Sequence, residues 1–566
     1  MATKRVAPVR STKKASTKKI HAKQVHISFW HKVRVLSLIA IVTVLVFSNF
    51  GIGTLLERDI VVAAGCRAPD TKVYTQYPVS GYFMYTGTDQ CQVRTSLESM
   101  HKIGADTAIT FGSSLKPISP SDLRNDALYR YFGQGGRHGY DIAWSATGGG
   151  RIANVFTYSD KITLASKAHI CGNRDGKMVT ANGTFDWFLV PTDAGYSDCT
   201  SPSKTYDLVV SSSKSGKDAN TTLIKEAELY GMKVYLGLPK TLDHQTGYSH
   251  TFGSFTTRVL KSWQQLYGGS NAFAGVYQTQ EVRLGKGLTQ NGLKLYDIQH
   301  KIVTYQLAKN KQNVLVSPWT SLYRSEGNTL ADITASTKLV ASTANGVNMI
   351  MSPQDGAGTG RVGLYDTYET NYRVRTAVTN ATGSTASNNN LYAGDTRQFI
   401  QAVKNAGLTT WVNVEAFKPG GVVGARPLSD RATLDKQVRR VGPVASKIIG
   451  YRWNDYMTKV NPATNASLYR SIYVHGDKPV LASASRINGG VRLVGYKFNT
   501  KGSSTIIVNS NGTVRRLTVQ PSAFGTHLSG RMQTLNLAVG GLQSGKPVYV
   551  QVINNTQRTN TLGFTY

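Results

Sequence analysis

The chain has 566 residues, and 65 Lys and Arg against 32 Asp and Glu give it a formal net charge of +33. Hydrophobic residues make up 40% of the sequence and charged residues only 17%, which excludes a wholly disordered protein. Its 55 glycines follow no G-X-Y period, which excludes a collagen, and the length indicates two or three domains.

The N-terminal region combines a basic tail with an apolar segment. Residues 1–34 contain ten Lys or Arg and no carboxylate, which predicts a disordered tail. Residues 35–56 carry no charge, and 22 such residues are long enough to form a transmembrane helix. The positive-inside rule keeps the tail in the cytoplasm and exports everything after Glu57. We therefore expect a single-pass cell-membrane protein with an extracellular body and no nucleic-acid partner.

Two other fates of the apolar segment stay open. The small residues Val62-Ala63-Ala64 are typical of a signal-peptide cleavage site, and cleavage there would make the protein secreted. The stretch ending at Cys66 also resembles a lipoprotein processing site. However, the charged residues 57–59 separate both motifs from the apolar run, whereas such sites normally adjoin it.

The cysteines agree with export. The chain has four of them, Cys66, Cys91, Cys171 and Cys199, and none shows the C-x-x-C spacing of zinc or redox sites. An even number in an oxidising compartment predicts two disulfides. Three connectivities are possible, and the sequential pairing closes the shortest loops.

After a linker at 57–77, residues 78–475 alternate short apolar segments with helix-like stretches. Near-continuous apolar runs are typical of parallel strands that are buried on both faces. Eight such units predict an α/β fold, a (β/α)8 TIM barrel, with an open doubly wound sheet as the alternative. The predicted strands are 81–85, 107–111, 233–238, 273–277, 314–317, 347–351, 410–414 and 448–453. The predicted helices include Thr221–Tyr230, Thr256–Tyr267, Leu293–Lys309, Thr396–Ala406 and Ala432–Lys447.

Two regions depart from this pattern. The Gly-rich and aromatic residues at about 115–206 are too many for a normal connection and predict an inserted, disulfide-stapled subdomain. Residues 478–566 alternate like half-exposed strands, and Asn511-Gly512 is a strong hairpin signal. A C-terminal antiparallel β-sandwich is therefore expected. It carries ten Lys or Arg and no Asp or Glu, so it is a candidate binding surface for a polysaccharide or an anionic wall polymer, or a structural cover.

Two glutamates stand out among the eight in the chain. Glu281 and Glu415 follow the fourth and seventh predicted strands, in FAGVYQTQEVRL and TTWVNVEAF. A TIM barrel places both at its C-terminal mouth, where paired carboxylates can flank a glycosidic bond. One would protonate the leaving group while the other attacks the anomeric carbon. The alternative is that either glutamate pairs structurally with a nearby arginine, such as Arg283 or Arg452.

These residues carry a resemblance. Glutamates after strands four and seven are similar to those of the large clan of retaining (β/α)8 glycoside hydrolases. YGMKVYLGLP (230–239), MSPQDGAGTGR (351–361) and WVNVEAF (411–417) resemble a bacterial family of glycosidase-like barrels catalogued as a domain of unknown function, over about 79–460. The resemblance implies Glu281 as acid/base and Glu415 as nucleophile. In one departure, Gln280 stands where the clan usually has Asn before the acid/base.

Other residues near strand ends suit a sugar site. Aromatic faces can stack on pyranose rings, and amide and carboxylate side chains can bind hydroxyl groups. The aromatic candidates are Tyr85, Tyr277, Trp319, Trp411 and Trp453, each of which is alternatively barrel packing. The polar candidates are Gln280, Gln354, Asp355, Asn413, Asn454 and Asp455.

Other chemistries find no support in the sequence. The histidines show no H-x-H or H-E-x-x-H spacing, and there is no P-loop or G-x-S-x-G motif, so we expect no metal and no cofactor. The sequence therefore predicts an exported, membrane-tethered glycoside hydrolase that cleaves a cell-wall or extracellular polysaccharide with retention of configuration. The alternative is a non-catalytic glycan-binding surface protein.

Overall fold

The computed structural model describes residues 66–159, 163–213, 218–242, 244–422, 425–475, 478–498 and 502–566. The predicted tail at 1–34, the apolar segment at 35–56 and the first part of the linker, 57–65, lie outside these residues. Within the described residues, none of the helices combines the length and apolar character that crossing a membrane requires.

The described residues include eight parallel strands that close into a barrel, as the sequence predicted. Each neighbouring pair is joined in parallel register, and the first strand pairs with the last. The open doubly wound alternative is thereby excluded. In chain order the strands are β1 (Val79–Phe83), β2 (Thr107–Ile109), β3 (Lys233–Gly237), β4 (Phe273–Gln278), β5 (Asn313–Val316), β6 (Asn348–Met351), β7 (Thr409–Glu415) and β8 (Lys447–Tyr451).

Helices cover the outside of the barrel, as right-handed β-α connections require. Capping side chains fix where several of them begin: Asp89, Asp218, Thr289 and Asp430 each accept a backbone N–H of the first turn. The main helices are Gln90–Lys102, Ala219–Leu229, Ser249–Tyr267, Gln290–Gln306, Leu330–Ala341, Thr396–Lys404, Arg431–Val441 and Leu468–His475. The five helices predicted above are all present, with ends shifted by up to seven residues.

The insertion follows β2 and forms a mixed sheet of its own. Its described part contains six strands, and the last of them, Lys240–Thr241, comes directly after β3. The insertion therefore extends past the predicted boundary at 206, because the strand Thr205–Ser213 belongs to this sheet. The other strands are Ser114–Ile118, Arg151–Ser159, Asp175–Thr180 and Gly183–Pro191.

All four cysteines lie in the described part of the chain, and each is disulfide-bonded. The bridge between Cys171 and Cys199 staples the insertion, which confirms that half of the sequential pairing.

The C-terminal region is an antiparallel β-sandwich, as predicted. Its described residues form two sheets that enclose a separate apolar core. Asn511 and Gly512 both adopt positive φ and join two strands of one hairpin, which is the geometry that an Asn-Gly turn favours. Its strands are Val480–Ile487, Gly490–Tyr496, Ser504–Ser510, Thr513–Val519, Gly525–His527, Met532–Ala538, Pro547–Asn554, Gln557–Arg558 and Leu562–Thr565.

Candidate active site at the C-terminal end of the barrel

The loop after β6 connects the two glutamates. Glu415 is the last residue of β7, and Glu281 lies three residues beyond β4. Gln354 donates a hydrogen bond from Nε2 to Oε2 of Glu281 at 2.8 Å. The next residue, Asp355, accepts the backbone N–H of Glu415 at Oδ1, at 3.3 Å. One dipeptide therefore contacts both glutamates at the same end of the barrel.

Glu281 is half-buried, and the two side chains that donate to it within the described residues are neutral. The Tyr277 hydroxyl donates to its Oε1 at 2.8 Å, in addition to the bond from Gln354 at Oε2. Burial raises the pKa of Glu281, against the opposing effects of these two hydrogen bonds and of the charge on Lys240. A raised pKa is what a general acid needs if it is to hold a proton near neutral pH.

Glu415 is buried under the loop after β6. The backbone N–H of Thr359 donates to its Oε2 at 2.7 Å, and the Thr359 hydroxyl donates to the same oxygen at 3.3 Å. This approach requires glycine at position 358, because a Cβ there would lie 2.5 Å from the Cβ of Glu415. Burial raises the pKa of Glu415, whereas Thr359 and the charges of Arg426 and Arg361 act to lower it.

Asp355 forms a buried carboxylate pair with Glu415. Its Oδ2 accepts Nε2 of Gln437 at 2.9 Å, and the same amide nitrogen donates to the Glu415 carbonyl. Burial, and next the charge of Glu415, raise the pKa of Asp355 to about 8. Two neighbouring buried carboxyl groups do not readily ionise together. Both groups accept hydrogen bonds, but the donors to Asp355 are neutral, whereas Glu415 also feels the charges of Arg426 and Arg361, so we assign the proton of the pair to Asp355.

Three of the aromatic candidates were wrongly predicted to present a face to a sugar. Trp453 is buried against Tyr82 in the outer core. Trp411 is the third residue of β7 and pairs with Lys447, the first residue of β8, so it lies at the opposite end of the barrel. Tyr277 is fully buried, and its role is the hydrogen bond to Glu281.

Tyr85 and Trp319 remain accessible at the mouth. Tyr85 is 51% exposed, and the Arg452 guanidinium lies 4.4 Å from its ring centroid. Trp319 is half-buried, with the guanidinium of Arg361 at 4.4 Å and that of Arg283 at 5.1 Å. Both rings therefore combine a flat surface with adjacent positive charge.

Most of the polar candidates serve the protein rather than a ligand. Gln280 is buried, and its Oε1 accepts the backbone N–H of Thr241 at 3.0 Å. Asn413 is buried and donates to the Ser317 hydroxyl, and Asp355 is buried as described above. Asp455 is ion-paired with Arg452. Of the polar set, Gln354 and Asp355 contact the two catalytic candidates through their side chains.

Sequence reasoning missed several residues that shape the site: Lys240, Thr359, Arg361, Arg426 and Gln437. Thr359 lies in the GAGTG stretch, and Lys240 follows β3 closely, so position alone could have indicated these two. Gln437 is on a helix, and only its contact with Asp355 shows its role. The described residues contain no cluster of three or more His, Cys, Asp or Glu that could hold a metal ion.

Comparison with known proteins finds a family match that lies mainly in the barrel. Residues 189–465 match the profile of a family described as "Domain of unknown function (DUF4434)". This range includes all three stretches that carried the resemblance, but it does not include β1 and β2. The chain is similar to that family over these residues. No curated protein matches the sequence.

Two solved structures show remote likeness. One is a "putative alpha-L-fucosidase" from Bacteroides thetaiotaomicron, at 14% identity over 72% of this chain and 97% of that chain, with a TM-score of 0.39. The other is the chitinase ChiW from Paenibacillus sp. str. FPU-7, at 9% identity over 46% of this chain and 17% of that chain, with a TM-score of 0.13.

Proposed function

We propose that the protein is a glycoside hydrolase that cleaves a cell-wall or extracellular polysaccharide with retention of configuration. The observation that carries the proposal is the pair of glutamates at the C-terminal ends of β4 and β7, both contacted by Gln354-Asp355. The match to a domain of unknown function supports the fold and leaves the reaction open.

The assigned protonation states give each residue a role. Glu415, ionised because Asp355 holds the proton of that pair, attacks the anomeric carbon. Glu281 donates its proton to the departing glycosidic oxygen and then deprotonates the water that releases the sugar from Glu415. A carboxyl separation of about 5–5.5 Å in the substrate complex is expected for this mechanism.

The decisive test is Glu415→Gln, which keeps the size of the side chain but removes the nucleophile. We expect release of reducing sugar from the preferred polysaccharide to fall by about 10³-fold or more. The matched control is Glu228→Gln on the helix Ala219–Leu229, which should leave turnover unchanged. Product configuration, followed by proton NMR, should be retained. Inverted product, or full activity of Glu415→Gln, would contradict the proposal.

A non-catalytic glycan-binding protein is the second candidate. It is favoured by Gln280, whose side chain is buried and bonded to Thr241, so it is not placed like an Asn that binds the sugar 2-hydroxyl. Calorimetry and product analysis on the same oligosaccharides separate the two functions. Binding without any product would favour this candidate.

We also propose that the body is exported, with residues 35–56 acting as the anchor or signal. The support comes from the charge pattern and from the Cys171–Cys199 disulfide, which is typical of an oxidising compartment. Deleting residues 35–56 should leave the protein in the cytoplasm with reduced thiols, as thiol alkylation would detect. Export of the truncated chain would contradict this topology.

The basic sandwich is proposed as the contact with an anionic wall polymer. Its binding should weaken as salt rises past about 0.1–0.15 M, where surface charges are screened. Salt-independent sedimentation with purified walls would contradict it.

A further inference from the structure

A large cavity lies between the barrel mouth and the insertion, next to the residues that follow β2 and β3. Its volume of about 980 Å³ is at the upper end of the range for small-molecule sites. It is lined by the residues after β2, by the turn that follows the insertion's first helix and by Lys240 after β3. The lining includes Gly112, Lys116, Asp126 and Lys240.

The wall of this cavity is continuous with the segment that carries Glu281. The backbone N–H of Gly112 donates to the Thr279 hydroxyl at 3.0 Å. The backbone N–H of Thr241, which follows Lys240, donates to Oε1 of Gln280, also at 3.0 Å. The cavity wall therefore packs against the segment that carries Glu281, which places the cavity next to a sugar chain held at that residue.

The cavity is cationic. Lys116 is exposed and Lys240 half-exposed, and among the described residues no carboxylate is within ion-pairing distance of either. Asp126 is the acidic residue of the lining, and its Oδ1 already accepts the N–H groups of Leu128 and Tyr129. Neither lysine is therefore held in an ion pair by the described residues, and the charge of Lys240 also acts on Glu281.

The opposite side of the mouth also has an excess of positive charge. Arg283 is paired with Glu326, and Arg452 with Asp455. In the described part of the chain, Arg361 and Arg426 have no such carboxylate partner, and both act electrostatically on Glu415. Cations on both sides of the catalytic pair attract anions from solution.

From this cavity and its unpaired lysines we infer that the substrate is an acidic glycan, with anionic groups on the sugars next to the scissile bond. Lys116 and Lys240 bind these groups in the cavity, while a neutral glycan would leave both charges without a partner. This inference rests on the proposed function, because it identifies the substrate class of the same site.

The test measures binding to Glu415→Gln, so that turnover does not interfere. The probes are matched pairs: oligogalacturonates with their carboxyl-reduced forms, and sulfated dextran oligosaccharides with plain dextran oligosaccharides. We expect at least one charged probe to bind about ten-fold more tightly than its neutral partner at low salt, corresponding to two partly exposed ion pairs. The difference should shrink as salt is raised past about 0.15 M. Which pair shows it distinguishes carboxylate from sulfate recognition.

Lys116→Met and Lys240→Met, alone and together, should abolish most of this preference without changing affinity for the neutral probes. Lys294→Met, on an exposed position of the helix Gln290–Gln306, is the matched control and should bind as the parent does. Equal binding of charged and neutral probes, no binding of any charged probe, or unchanged preference in the double lysine variant would overturn the inference.

The two proposals fail in different ways. Cleavage confined to neutral glycans would overturn the acidic substrate and leave the hydrolase intact. In the other case, a charged probe binds through the lysines and is never cleaved by the wild-type protein. That result would support the acidic ligand and overturn the proposal that the protein is a hydrolase.

Discussion

The insertion and the C-terminal sandwich are both β-rich additions to the barrel, but they attach at opposite ends. The insertion leaves after β2 and joins Lys240–Thr241 after β3, at the mouth. The sandwich packs where strands begin: Arg531 pairs with Asp106 just before β2, and His527 bonds to the carbonyl of Gly442 before β8. Residues at the C-terminal ends of barrel strands typically serve catalysis and those at the other end stability. We therefore associate the insertion with substrate binding.

The charges that hold the two additions also differ in burial. Arg258 of the helix Ser249–Tyr267 and Asp175 of the insertion are paired at 3.4 Å, with both side chains 0% exposed. Asp106, which receives Arg531 and Lys447, is 47% exposed at its side chain. A buried pair is costly to break and a solvated pair is not. The attachment at the mouth should therefore be the more rigid one.

The largest expected effect is at the mouth, with Glu281→Gln. If Glu281 is the general acid, this change should reduce kcat/KM on a polysaccharide by about 10²–10⁴-fold. An aryl glycoside with a good leaving group needs little protonation and should lose far less. Asp106→Asn, at the sandwich end, should leave kcat/KM unchanged. Equal losses on both substrates would remove Glu281 from the role of acid.

The next effect tests the attachment of the insertion. Asp175→Asn leaves the buried Arg258 guanidinium without its counter-charge and should lower the free energy of unfolding by about 3–5 kcal/mol. Urea denaturation followed by circular dichroism measures this loss. Asp141→Asn, in the exposed pair with Arg124 on the same insertion, is the control and should cost less than about 1 kcal/mol. If Asp175→Asn also lowered the free energy of unfolding by less than about 1 kcal/mol, the buried pair would not anchor the insertion.

The barrel strands could be predicted from the sequence because each is buried on both faces, so its apolar run is nearly continuous. The insertion boundary could not, because the strand Thr205–Ser213 is equally apolar and pairs in a different sheet. Trp411 shows a second limit. The predicted strand 410–414 agrees with β7 to within one residue and already has Trp411 near its start, which is the base of the barrel, so the prediction that Trp411 reaches a sugar at the mouth was inconsistent with the strand itself.

The two glutamates were predictable from their position after strands, since topology brings strand ends together. Their surroundings were not. Asp355 was expected to bind a sugar hydroxyl and is instead buried beside Glu415, because the loop after β6 folds over that residue. Lys240 and Arg361 were missed because an isolated cation in a sequence does not reveal whether a carboxylate lies nearby in the fold.

The pH dependence of stability tests the buried pair at the mouth. Asp355 has a folded pKa raised to about 8, so the folded state binds this proton more tightly than the unfolded state. For such a group the contribution to stability falls as pH rises from about 4 to 8. Asp355→Asn removes that dependence, so its stability relative to wild type should rise by up to about 3–4 kcal/mol between pH 5 and 8.

The slope with pH is the relevant readout for Asp355→Asn, since losing the Gln437 contact lowers stability by an amount that does not change with pH. Asp297→Asn, at an exposed pair with Lys301, should run parallel to wild type over the same range. Parallel curves for Asp355→Asn as well would mean that Asp355 does not carry the proton of the pair.

The smallest effect is expected at the base, with Asp106→Asn. Burial alone would raise the pKa of Asp106, but Lys447 and Arg531 bring it below its usual value. The stability that ionised Asp106 contributes to the fold is therefore present above about pH 4 and is lost as pH falls further. Because the side chain is half-exposed, the loss in unfolding free energy at pH 7 should be about 1 kcal/mol, decreasing at high salt. A loss near that of Asp175→Asn, or a parallel loss of activity, would mean that the sandwich is coupled to the mouth and that the two additions are not separate in function.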